Sequence, residues 1–154
     1  NICVISSPVI NIYMKDAYHE AFYDVVKHTQ KNTGYELPHH IEAYIVMLLS
    51  DFVDRDDFPP DSAFAEMFLN LKGKMEAKEL GDSCLFITGV FPAYGRKYGL
   101  NQRYYQDIGS TSYEMASDMN VELFPLLARH FVFLSKFIEV TVNTSTHSQS
   151  NLFR

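Results

Sequence analysis

An apolar stripe at helical spacing does most to limit what this chain can fold into. Between Pro38 and Asp54, the residues Ile41, Tyr44, Ile45, Leu48, Leu49 and Phe52 fall at i, i+3, i+4, i+7, i+8 and i+11, which is one face of an α-helix. Pro38 suits a first helical turn, where its missing N–H costs nothing, and the run from Asp54 through Pro59 and Pro60 ends the pattern in a loop.

The same period recurs along the chain. Tyr18, Phe22 and Val25 mark a helix over residues 17–31, closed by Asn32-Thr33-Gly34. Phe64, Phe68, Leu71 and Met75 predict a helix from an Asp61 or Ser62 N-cap to about Leu80, weakened at Gly73. Period alone leaves the short apolar run from Cys84 to Phe91 open; it is read as a helix capped by Asp82, with Gly81 and Asp82 at a helix boundary. Tyr105, Ile108, Ser112, Met115 and Met119 place another helix over about 101–119. The segment Val121 to Val142 is apolar on most of its circumference and is expected as the central helix, with Pro125 near its first turn.

These elements predict an all-α fold: a single-domain bundle of five or six helices over residues 1–142, around a central helix near the C-terminus. The β-branched residues of the first 15 positions suggest a short strand or an extended arm. The polar run from Asn143 has nothing to bury and is expected as a tail over 143–154. At 154 residues and 47% hydrophobic content, the chain can bury one core without disulfides, and its two cysteines, Cys3 and Cys84, the latter within an apolar run, read as free structural thiols.

Composition also excludes function classes. A formal net charge of −6 argues against duplex nucleic acid and anionic membrane as partners. No stretch approaches the roughly 18 consecutive apolar residues of a membrane span. A cytoplasmic location is the default expectation.

Each candidate motif has a plain structural alternative. Gly81-Asp82-Ser83 resembles the nucleophile turn of a serine hydrolase, but a charged helix rather than a strand precedes it. His39, His40 and Glu42 cluster at a helix start, and Glu36-Leu37-Pro38-His39 has Glu-x-x-His spacing; a metal-dependent enzyme built on these residues is the alternative function. Asp54, Asp56 and Asp57 lack the glycine and closing glutamate of a calcium loop. The richest stretch sets Tyr94, Tyr98, Tyr104, Tyr105 and Tyr113 around Arg96, Lys97 and Arg103. Tyrosine and arginine are the residue types favoured in interaction hot spots, although alternate tyrosines can equally be core rings.

Leu80-Gly81-Asp82-Ser83-Cys84-Leu85-Phe86-Ile87-Thr88-Gly89-Val90-Phe91-Pro92, followed by Tyr104-Tyr105-Gln106-Asp107-Ile108-Gly109 and Tyr113, resembles a family of uncharacterised bacterial proteins with the pattern LGDxxLFxxGxFP and then YYxxxGxxxY. The resemblance covers about a third of the chain. It implies helices, a bacterial origin and a single spatial unit of Gly81, Asp82, Gly89, Tyr104, Tyr105, Gly109 and Tyr113, but carries no activity.

The leading expectation is therefore a non-enzymatic helical domain without a cofactor. It would bind a partner protein or small ligand through Asp82, Arg96, Arg103, Tyr104, Tyr105 and Tyr113, and a homodimer burying surplus aromatic surface is a further expectation.

Overall fold

The structure is a computed structural model and describes residues 8–59 and 63–148. Among these it is all-α, with seven α-helices, two 3₁₀ turns and no strand. The helices are α1 (Pro8–Thr33), α2 (His39–Phe52), α3 (Phe64–Leu69), α4 (Lys74–Val90), α5 (Gln102–Met115), α6 (Phe124–Arg129) and α7 (Phe131–Ser148). The chain divides into two compact units, one holding the described residues up to Asp56 and from Thr144, the other spanning Asp57–Asn143.

The first unit is built on the α1–α2 hairpin. The Gly34 N–H closes α1 on the Gln30 carbonyl at 2.9 Å with φ at +77°, the left-handed cap anticipated for this glycine. Pro38 caps α2, and Ile41, Tyr44, Ile45, Leu48, Leu49 and Phe52 are all buried, as the stripe requires. The extended arm is corrected in part: Val9–Met14 continue α1, because the helical run has no breaker after Pro8, whose ring fits a first turn. Residues 1–7, including Cys3, lie outside the described residues.

In the second unit one expected helix boundary moves and one expected helix is divided, the division adding a helix to the expected number. The expected helix to Leu80 stops at Leu69, and the expected boundary at Gly81-Asp82 does not exist: α4 runs unbroken from Lys74 to Val90. Gly73 is the N-cap of α4, and the Glu76 carboxylate accepts the Lys72 N–H at 2.9 Å, a local signal that starts a helix there. The proposed caps Asp61 and Ser62 lie outside the described residues.

The segment over 121–142 is likewise two helices, α6 and α7, meeting at His130. The Ser110 hydroxyl donates to the Ala128 carbonyl at 2.9 Å, taking the acceptor that a continuous helix would offer to residue 132. Pro125 stands in the first turn of α6, where proline is tolerated. The polar run Asn143–Ser148, expected as tail, continues α7; it contains no glycine or proline to stop the helix.

Glycines set how closely the helices of this unit approach. α4 and α5 pack together along their lengths. A Cβ at Gly81 would lie 2.6 Å from the Tyr113 ring, and one at Gly109 would lie 2.4 Å from Phe131 and 2.7 Å from the Cys84 Cβ. Only glycine leaves room for these rings. Leu85, Phe86, Ile87, Leu127, Leu134 and Ile138 complete a dry interior.

Candidate functional site

The tyrosine-rich stretch divides into a buried floor and an exposed turn. Tyr105 and Phe64 are buried and Tyr94 is half-buried. Tyr105 stands edge-on to Tyr94 (5.4 Å between ring centroids), Tyr104 (4.9 Å) and Phe64 (5.4 Å). Such T-shaped contacts set a positive ring edge against a negative face. The Tyr104 hydroxyl accepts the Ala65 N–H at 3.3 Å and ties the entry of α3 to α5. Burial, with Tyr94 and Tyr104 alongside, pushes the Tyr105 hydroxyl up to about 12, so it stays protonated at neutral pH.

Above this floor the chain makes a tight knuckle. Gly95 (φ +89°) and Gly99 (φ +76°) bracket the 3₁₀ turn Arg96–Tyr98 in left-handed conformations open to glycine at little cost. The N–H groups of Tyr98 and Leu100 both reach the Gly95 carbonyl, at 2.9 and 3.0 Å, and the Gly99 N–H reaches that of Arg96 at 3.0 Å. A Cβ at Gly95 would meet the Tyr105 hydroxyl at 2.5 Å, so the turn sits directly on the ring below it. Asn101 then caps α5, its side chain accepting the Tyr104 N–H at 3.2 Å.

The knuckle presents charge. Tyr98 is 69% exposed, with the Lys97 ammonium 5.1 Å from its ring centroid. Arg96, Lys97 and Arg103 all face solvent, and residues 91–104 contain no carboxylate. Arg103 makes only a 3.7 Å contact with the exposed Asp107.

The remaining candidates fall elsewhere. Asp82 and Tyr113 are buried: the Tyr113 hydroxyl donates to Asp82 Oδ1 at 2.7 Å, and Lys78 pairs with Oδ2 at 2.8 Å. With Gly81 they form a packing joint between α4 and α5. Ser83 is buried and donates to the Glu79 carbonyl, an ordinary helix back-bond. Burial pushes the Cys84 thiol up, making it an inert core group. The glycines of this stretch are places of close helix contact: Gly81 meets Tyr113, Gly109 meets Phe131, and Gly89 meets Ile138.

His39 and Glu42 lie in the other unit, on the wall of an open cleft between α1 and α2, whereas His40 does not line it. Among the described residues no three His, Cys, Asp or Glu side chains converge as metal ligands. Glu42 instead takes Lys27 at 2.9 Å and the Gln30 amide at 2.5 Å, both on Oε2. Gln30 returns its carbonyl to the Leu37 N–H at 2.7 Å, latching the hairpin loop. Burial pushes the Glu42 carboxyl up, but the bonds from Gln30 and Lys27 and the charges of Lys27 and His39 outweigh it and hold it below the usual carboxylate range. Sequence reading missed Lys27, Gln30 and Lys31, which are ordinary polar positions on α1 until the hairpin brings them to Glu42.

Comparison with protein-family models, curated proteins and solved structures gives no match for this chain.

Proposed function

We propose that the Asp57–Asn143 unit is a non-catalytic recognition module whose knuckle, with Arg96, Lys97, Tyr98 and Arg103, binds an acidic segment of a partner protein. The observation that carries this reading is a hydrogen-bonded surface turn bearing Arg96 and Lys97, with Arg103 in the first turn of α5, in a segment (residues 91–104) that holds no carboxylate although the chain's net charge is −6. A preorganised turn loses little entropy on binding, and an exposed tyrosine flanked by arginine and lysine supplies contact area beside charge. Tyr105 and Tyr94 act here as the platform beneath the turn, and Tyr113 and Asp82 as part of the core that holds α5 in place.

The test is an NMR titration of the ¹⁵N-labelled protein with a capped hexaglutamate peptide, using hexaserine as control. Shifts should concentrate on residues 94–104, weaken as salt rises from about 50 to about 300 mM, and vanish in the exposed charge-reversal variant R96E/K97E/R103E. Shifts spread evenly over the chain, or binding that survives the triple reversal, would overturn the reading.

A further inference from the structure

The cleft in the first unit has a volume of about 510 Å³, within the usual range for small-molecule sites. Its wall carries two cations, Lys27 and Lys31, and two carboxylates, Glu36 and Glu42, with His39 beside them and the buried Leu37 as an apolar patch. The fixed charges balance. A simple anion or a simple cation would therefore meet as much repulsion as attraction there, whereas a molecule carrying both signs would not.

Glu42 gives the cleft a directed acceptor. The residue is only 6% exposed, and both of its protein bonds converge on one oxygen, Oε2. Neither bond uses the second oxygen, Oε1, and Glu42 lines the cleft, so Oε1 is the acceptor it can offer to a bound molecule. A largely desolvated carboxylate with one free acceptor favours a compact donor with several N–H groups, and a primary ammonium fits it. Lys31 at the end of α1 and His39 at the start of α2, both exposed and both lining the cleft, are the complementary groups for a carboxylate.

We propose that this cleft binds a small zwitterion of the free amino-acid class, its ammonium on Glu42 Oε1 and its carboxylate toward Lys31 and His39. The site is separate in the chain from the knuckle and does not depend on the reading given for it.

The test is a titration of the ¹⁵N-labelled full chain with L-leucine, N-acetyl-L-leucine and L-leucinamide up to about 20 mM, a range that detects millimolar dissociation constants. L-leucine should shift the amides of residues 27–42; N-acetyl-L-leucine, which lacks the ammonium, and leucinamide, which lacks the carboxylate, should each bind about tenfold more weakly or not at all. Glu42→Gln should abolish the L-leucine response. Because Glu42 also holds the hairpin, Lys31→Met, an exposed position outside the latch, provides a second arm: it should weaken L-leucine about tenfold and leave leucinamide unchanged. An absence of shifts with L-leucine, equal binding of the acetylated analogue, or a Lys31→Met variant that binds L-leucine as the parent does would each overturn the proposal.

Discussion

Replacing Gly109 by alanine sets two opposing effects against each other, and the structure decides between them. In the middle of α5, alanine is favoured over glycine by about 1 kcal/mol of helix propensity. The new Cβ, however, would lie 2.4 and 2.6 Å from two carbons of the Phe131 ring and 2.7 Å from the Cys84 Cβ, about 1 Å inside the contact distance between carbons. Neither neighbour yields easily. Phe131 is 1% exposed and wedged against Tyr113, ring centroids 5.8 Å apart, and the Cys84 Cβ is fixed to the α4 backbone. Overpacking of this kind costs about 1–3 kcal/mol, and with obstacles on two sides the upper half applies, leaving Gly109→Ala destabilised by about 1–2 kcal/mol. Urea unfolding followed by circular dichroism should show a midpoint lower by roughly 0.5–1 M with an unchanged slope. Phe131→Leu, which shortens the obstructing side chain, should be less harmful in the Gly109→Ala background than alone, with a coupling of about 1 kcal/mol. A Gly109→Ala protein as stable as the parent, or more so, would show that propensity governs the site and that the close crossing of α4 and α5 is misjudged.

Two further outcomes follow from buried polar groups. Tyr113→Phe removes the 2.7 Å bond to Asp82 from a side chain with no exposed surface and should lower stability by about 1.5–3 kcal/mol in the same urea assay; an unchanged midpoint would assign the contact to packing alone. The Glu42 carboxyl lies below its ordinary 4.5 in the folded chain, so the stability it contributes is whole above that pH and is lost as the pH falls further and the folded carboxylate takes up its proton. Exchange protection of the Leu37 amide, bonded to Gln30, should therefore drop on acidification below about 4.5, and Glu42→Gln should remove that drop when the two proteins are compared at each pH.

What could be read in the sequence, and what could not, follows from the range of the interactions involved. The α2 stripe was legible because a helix buried along one face writes its period into consecutive residues, and Gly34 was legible because a left-handed cap is a local requirement. The division of α3 from α4 left only a faint local trace, a glycine followed three residues later by Glu76, and the stronger apolar period across it concealed the break. The break at His130 left no trace nearby, because what removes the Ala128 carbonyl from the helix is Ser110, 18 residues earlier. Gly81-Asp82 misled for the same reason in reverse: glycine followed by aspartate is local capping chemistry, yet here the glycine makes room for Tyr113 and the aspartate accepts its hydroxyl, across 31 residues. The site divides along the same line. Arg96, Lys97 and Tyr98 announce themselves because Gly95 and Gly99 fix their turn from within the segment. Lys31, by contrast, becomes part of a charged cleft only once the α1–α2 hairpin closes, through a Gln30 side chain whose two ends bond to Leu37 and Glu42. A residue whose role depends on a partner in another helix gives no periodic or capping signal, so the cleft had to be found in three dimensions.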